Sequence, residues 1–256
     1  MTFQLNPPSN GLIGHRGLAH FAPENTLIGF QMAKSKGLEW IEFDVQLSND
    51  NELMIIHDHN LNRTTNGNGL IYEQHSEILS KLDAGSWFNE KFTGTTIPNL
   101  DKDLAKILSL DLNLNIEIKC PKETDQNYKN TLADKIITLI KHKWSPSSPL
   151  PLVSSFEWPI LLKIRDALPE QPIGFLCEIL TADVLRIAAQ VGNATINCHY
   201  PNLSEQQIYQ AQALDIPLLV FTVNQQDAAN KLIDSGVFGV FTDILTDTYS
   251  SVRKVV

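Results

Sequence analysis

"PLLVFTVN", residues 217–224, is apolar from Pro217 to Phe221 and turns polar only at Thr222 and Asn224. A strand with one wet face alternates apolar and polar residues, whereas a strand covered by helices is apolar along its length. This stretch is of the second kind. Runs like it recur at 12–15, 40–47, 53–57, 114–119, 152–155, 173–176, 194–197, 218–223 and 237–242, and amphipathic stretches near 26–36, 100–109, 127–142, 157–167, 181–190, 204–214 and 226–235 separate most of them. Strands alternating with helices imply parallel strands joined by crossovers. The expected fold is therefore α/β, a TIM (β/α)8 barrel forming a single domain over residues 1–256.

Nine candidate strands exceed eight, and "DVQLSNDNELMIIHD" (44–58) joins its two runs by a turn alone, so one strand or connection must be irregular. From about 64 to 98, "TTNGNG", "DAGSWF" and "FTGTTIP" are too rich in turn residues for a barrel helix, which predicts a small insertion after the third strand.

Composition narrows the partners. The chain carries a net charge of −9 with no Lys/Arg run, which argues against nucleic acid. No apolar run approaches the roughly 20 residues that span a bilayer, so no stable membrane insertion is expected. The start, "MTFQLNPPSN", lacks the basic and apolar segments of a signal peptide. Cys120, Cys177 and Cys198 are few, odd in number and in no metal-binding spacing; a reducing, cytoplasmic setting is expected. The partner is a small molecule, and a homodimer is compatible with the chain.

Barrel active sites sit at the C-terminal ends of the strands. The first run ends in His15 and Arg16, the second carries Glu42 and Asp44, the third ends in His57 and Asp58, and the fourth carries Glu117 and Lys119. Alternation along a strand points Glu42 and Asp44 the same way, and likewise Glu117 and Lys119. Three carboxylates converging there suit one hard divalent cation, Mg²⁺ or Ca²⁺; without positive charge they would repel one another. If "LSNDNE" turns the chain tightly back, His57 comes to lie roughly opposite Glu42.

"GHRG", "PENT", "EFDVQLSNDNELMIIHD", "LNRTTNGNG", "LDAGSWF", "IPNLDKDL" and "NIEIK", followed by "VSSF", "FTVN" and "GVFGVFTD", resemble the glycerophosphodiester phosphodiesterase family in order, from about residue 11 to 245. The sequence departs from that family at Phe221, where Trp is usual, and at Leu245, where Pro is frequent. The resemblance implies a TIM barrel with a small insertion and a cytoplasmic enzyme hydrolysing glycerophosphodiesters to sn-glycerol 3-phosphate and an alcohol. It implies that His15 and His57 are the general acid–base pair, that Arg16 and Lys119 bind the phosphate, and that Glu42, Asp44 and Glu117 hold the metal. The same kind of site also serves lysophospholipase D and phosphoinositide-type phospholipase activities, for which Trp87, Phe88 and Phe92 would supply an apolar rim.

The residue types suit the reaction. A phosphodiester must accept a nucleophile and expel an alkoxide, and two histidines can hold opposite protonation states near neutral pH. "PENT" reads chiefly as a helix cap around Asn25 and Thr26, with Glu24 close to the site. Gly17 implies a sharp turn or a close backbone approach. Asp58 either orients His57 or braces the next loop. His20, His59, His75, His142 and His199 are expected to be peripheral. Ser154, Thr222 and Asn224 end later strands near substrate, and Phe156, Trp87 and Phe221 are expected mainly as packing residues.

Overall fold

Nine strands carry the framework: β1 (Leu12–Gly14), β2 (Trp40–Leu47), β3 (Leu53–Ile55), β4 (Asn113–Ile118), β5 (Leu152–Ser155), β6 (Ile173–Cys177), β7 (Ala194–His199), β8 (Leu218–Phe221) and β9 (Gly239–Thr242). The helices are α1 (Leu27–Ser35), α2 (Ser76–Leu79), α3 (Leu100–Leu108), α4 (Gln126–His142), α5 (Trp158–Ala167), α6 (Ala182–Val191), α7 (Glu205–Ala213) and α8 (Gln226–Asp234). They come from a computed structural model that describes residues 5–245; residues 1–4 and 246–256 of the expected domain lie outside the described residues. Among the described residues no helix is long and apolar enough to cross a membrane.

The parallel strands run β1-β9-β8-β7-β6-β5-β4-β2, and β2 pairs again with β1, closing an eight-stranded TIM barrel. The irregular element is β3. It runs antiparallel to β2, with Val45 opposite Ile55, because Ser48–Glu52 turn the chain straight back. The third apolar run is thus a hairpin arm outside the barrel wall, and His57 is not a barrel strand end as the sequence suggested.

Alternation sorts the core into two layers. Leu12, Ile41, Val153, Val220 and Val240 pack outward with helix residues such as Phe30, Leu132, Ile160 and Ile164. Their neighbours Ile13, Trp40, Leu152, Leu219 and Phe241 form a separate buried cluster that plugs the interior. Each buried side chain of this size contributes about 1.5–3 kcal/mol, so the plug fixes the barrel's cross-section beneath the site. Two residues further on, the same inward parity reaches His15, Glu42, Ser154, Phe221 and Asp243.

Between β3 and α3 the chain forms the expected lobe, with short helical turns and its own cluster of Ile56, Leu61, Ile71, Leu79, Ala84 and Ile97. Asp83 organises its turns by accepting from the N–H groups of Gly85 (2.8 Å), Ser86 (2.7 Å) and Gly94 (2.8 Å).

Candidate active site

The polar ends of β1, β2 and β4 and the residues after β3 surround one cavity of about 200 Å³. Its walls include His15, Arg16, Glu42, His57, Glu117 and Lys119, and on the opposite side Phe156, Leu176, Glu178, Phe221 and Thr222. Every candidate site residue faces this cavity except Asp44, which is 1% exposed and lies directly behind Arg16 and Lys119.

The two imidazoles are held alike. His15 Nδ1 is 2.7 Å from Asp243 Oδ1, and His57 Nδ1 is 2.7 Å from Asp58 Oδ1. A carboxylate at Nδ1 fixes the ring and its tautomer and leaves Nε2 free for a reacting group. Asp243 in turn accepts from Asn224 Nδ2 at 2.7 Å. Burial would raise the Asp243 carboxyl, but its hydrogen bonds to His15 and Asn224 hold it below the usual range. Asp58 is depressed to about 2, chiefly by the Arg63 guanidinium and then by His57. His57 itself is lowered, chiefly by burial; Asp44 opposes the fall, and the charges of Lys119 and Arg16 add to it.

His57 is placed by an internal clamp. Gln46 Nε2 donates to the carbonyls of Ile56 (3.0 Å), His57 (2.8 Å) and Asp58 (2.9 Å), while its Oε1 meets His59 Nδ1 at 2.8 Å. A chain of charges then runs around the mouth. Arg16 donates to Glu24 (2.7 Å), Arg63 grips both Glu24 oxygens (2.8 Å each), and Arg63 reaches Asp58 at 2.6 and 2.9 Å. Asp58 therefore serves both readings left open by the sequence, orienting His57 and bracing the loop.

"PENT" divides its labour in a similar way. Thr26 caps α1, accepting from Gly29 N–H at 3.1 Å. Asn25 donates to Asp44 Oδ2 at 2.8 Å and accepts from Asp44 N–H at 3.1 Å. Gly17 has φ +91°, and a Cβ there would sit 2.9 Å from the Gly29 carbonyl carbon, so the turn after Arg16 needs glycine on both counts.

Glu42, Asp44 and Glu117 are buried and place oxygens within 4.8 Å of one another. Burial and the neighbouring carboxylates push Glu42 well above the ordinary range; burial also raises Glu117, over the opposing pull of Lys119. Asp44 stays low despite its burial, because Lys119 (3.3 Å) and Arg16 (3.5 Å) flank it. Glu42 Oε1 is buried with no hydrogen-bond partner. A buried oxygen left bare beside two further carboxylates is the donor set a hard cation satisfies, so these residues fit a divalent metal.

Sequence reasoning missed Asp243, Asn25, Gln46 and Arg63 as site residues, and Asn224, expected near substrate, instead donates to Asp243. Asp243 carried a legible signal, as the first polar residue beyond the apolar run of β9, the rule that found His15. The packing role expected of the aromatics is corrected at Phe156 and Phe221. Phe156 is 45% exposed, and the two rings stand edge to face 6.2 Å apart on the cavity wall. Trp87 stays in the lobe, donating to Ala84 O at 2.9 Å and stacking edge-on against Phe88.

Relatives share the chain's sequence pattern and fold. A glycerophosphodiester phosphodiesterase of Caldanaerobacter subterraneus subsp. tengcongensis is 31% identical over 243 residues, covering 95% of this chain and 98% of its own. One of Bacillus subtilis is 29% identical over 265 residues, covering 98% and 88%. The solved structure of an Oleispira antarctica phosphodiesterase in complex with the product sn-glycerol-3-phosphate superposes with a TM-score of 0.84 at 32% identity, over 91% of this chain and 92% of that one. The sequence profile of the glycerophosphoryl diester phosphodiesterase family matches residues 15–246, and the chain belongs to that family of enzymes.

Proposed function

We propose that this enzyme hydrolyses glycerophosphodiesters to sn-glycerol 3-phosphate and an alcohol, with His15 and His57 as the proton-transfer pair. The observation that carries the reading is the pairing of two imidazoles, each held at Nδ1 by an aspartate, across a cavity that also holds Arg16, Lys119 and three buried carboxylates. Arg16 and Lys119 bind the phosphate's non-bridging oxygens, where charge grows in the transition state. His57, kept neutral chiefly by burial, takes the proton of the attacking group, which is water or the neighbouring glycerol hydroxyl; in the second case water then opens the cyclic phosphate to give sn-glycerol 3-phosphate. His15, backed by Asp243, gives one to the departing oxygen. Such proton transfers contribute typically a hundred- to ten-thousandfold. Glu42, Asp44 and Glu117 would hold one divalent cation, Mg²⁺ or Ca²⁺, which when bound supplies further positive charge to the phosphoryl oxygens. The unpaired thiols of Cys120, Cys177 and Cys198 support a cytoplasmic setting.

The test is release of sn-glycerol 3-phosphate from glycerophosphocholine, with and without EDTA, by the wild type and by His15→Ala. Release should stop with chelator, return with Mg²⁺ or Ca²⁺, and fall at least about a hundredfold in His15→Ala. Calorimetric titration of Mg²⁺ and Ca²⁺ should show weakened binding in Glu42→Gln. Activity indifferent to both EDTA and His15→Ala would overturn the mechanism, and turnover of lysophosphatidylcholine alone would move the substrate assignment to lipids.

A further inference from the structure

Cys177 and Cys198 occupy matching places on neighbouring strands. They are the last residues of β6 and β7 to face the outer core layer, and they stand directly opposite each other in the parallel register. Neighbouring strands lie about 4.8 Å apart, within the roughly 4.4–6.8 Å between Cα atoms that a disulfide bridges. The Cys177 thiol donates to the Cys198 sulfur, which also accepts the Leu180 N–H. These two contacts, Cys177 first, draw the Cys198 thiol below its ordinary value against the effect of burial. The third cysteine is different. Cys120 is more exposed, yet burial and then Glu157 push its thiol up to about 12. The thiolate is the reacting form of cysteine, so Cys198 is suited to attack and Cys177 to resolve.

The thiols form the back of a wall whose front faces the cavity. Leu176 and Glu178, on either side of Cys177, line that cavity, as does Asn197 beside Cys198. His199, the other neighbour of Cys198, meets Glu178 at 3.5 Å and tilts against Phe221 at 5.7 Å between ring centroids. A bond would fix the sulfurs at about 2.05 Å, closer than hydrogen-bonded thiols, so the ends of β6 and β7 must shift together. Access runs through the turn 178–181. Its Leu180 N–H covers Cys198 while its Ile179 stands 59% exposed, and turns of this kind open locally in the folded state.

We propose that Cys177 and Cys198 are a reversible redox pair, which a small two-electron oxidant such as hydrogen peroxide converts to a disulfide that reshapes the cavity wall opposite His15 and His57. The Cys198 sulfur attacks one peroxide oxygen, the O–O bond breaks, and hydroxide leaves to combine with the Cys198 proton, giving a sulfenic acid and water. The Cys177 sulfur then attacks that of Cys198; the S–O bond breaks, and its OH departs as water with the Cys177 proton. The two thiols have lost two electrons and two protons, and one peroxide has become two waters. Small thiols reverse the step by exchange, which makes this the transient kind of disulfide found in a reducing compartment.

In the experiment the full chain is treated with hydrogen peroxide, the remaining thiols are alkylated after unfolding, and the digest is read by mass spectrometry. A peptide linking Cys177 to Cys198, two hydrogens lighter than its reduced parts, should form first and vanish with dithiothreitol, while Cys120 stays open to alkylation. In Cys177→Ser, whose hydroxyl still donates, Cys198 should stop at the sulfenic acid and take up dimedone; Cys198→Ser should take up little. On oxidation kcat/KM for glycerophosphocholine should fall, with about a hundredfold as the upper bound for an ångström of displacement. It should return with dithiothreitol and hold through peroxide treatment in Cys198→Ser. Absence of the linked peptide, or modification of Cys120 ahead of the pair, overturns the redox pair, and an unchanged kcat/KM in fully linked enzyme overturns its hold on the cavity. If the reduced enzyme hydrolyses nothing, the phosphodiesterase reading fails, while the linked peptide still decides the redox pair.

Discussion

Asp243→Asn changes one atom and has a consequence that the hydrogen bonds dictate. Asp243 Oδ2 accepts from Asn224 Nδ2 at 2.7 Å, and Asn224 cannot turn over, because its Oδ1 accepts from Asp243 N–H at 2.9 Å and from Thr242 Oγ1 at 3.3 Å. The new amide must keep its carbonyl toward Asn224, so its NH₂ lands where Oδ1 stood, 2.7 Å from His15 Nδ1. Two donors cannot share that contact. The imidazole is therefore held as the neutral tautomer with its proton on Nε2, and the imidazolium form, the acid that protonates the departing oxygen, loses both its balancing charge and the acceptor at Nδ1. The loss of a charge-assisted hydrogen bond, about 1.5–3 kcal/mol, is worth roughly ten- to a hundredfold. Inverting the tautomer adds to this, with an upper bound of about ten-thousandfold set by the same change in a serine-protease Asp–His pair. Steady-state release of sn-glycerol 3-phosphate should show kcat down by about a hundred- to a thousandfold, with KM little changed. Asp243→Ala, which installs no opposing donor, should retain more activity than Asp243→Asn. A kcat within about threefold of wild type, or an alanine variant worse than the asparagine one, would refute the reasoning.

Two further outcomes test the scaffold. Gly17→Ala combines a left-handed φ of +91° with a contact of 2.9 Å to the Gly29 backbone, so thermal unfolding should shift by at least about 1–3 kcal/mol; an unshifted Tm would show that the turn relaxes freely. Asp83, held at about 2 by the Ser86, Gly94 and Gly85 N–H groups, has a folded pKa below its ordinary value of 3.8. As pH falls the unfolded chain takes the proton first, so this stabilisation is complete above about pH 4 and is lost through about pH 2. Tm should therefore fall less steeply over that window in Asp83→Asn than in wild type, and parallel curves would dismiss the linkage.

Most of the barrel was legible because its strands are apolar on both faces and each ends in polar residues. The antiparallel course of β3 was legible only in part: the surplus of nine runs over eight and the bare turn at "LSNDNE" betrayed an irregularity, but three residues between that turn and a loop do not say that the run leaves the barrel wall. His15, Arg16, Glu42, Asp44, His57, Glu117 and Lys119 could be collected by one local rule, and the structure draws them together around Arg16, Lys119 and the cavity. Their supports resisted reading for a different reason. Arg63 meets Glu24 across 39 residues, and Asp243 meets His15 across 228. Such contacts exist only once the barrel has closed. Phe156 and Phe221 misled in the other direction: an aromatic at a strand end looks the same in sequence whether it fills a core or walls an opening.

The clamp made by Gln46 has a bearing on how the enzyme can diversify. One buried amide, rooted in the barrel strand β2, fixes three successive carbonyls around His57, and Arg63 ties off the same loop on its outer side. The polar contacts that place the imidazole come from residues up to 63, while the adjacent Ile56 packs into the lobe beside Ile71, Ala84 and Ile97. Changes confined to the outer turns of the lobe, away from that shared cluster, leave the clamp intact. The chain thereby roots its reacting imidazole in the barrel strand rather than in the turns of the lobe, so that variation in those turns leaves proton transfer undisturbed.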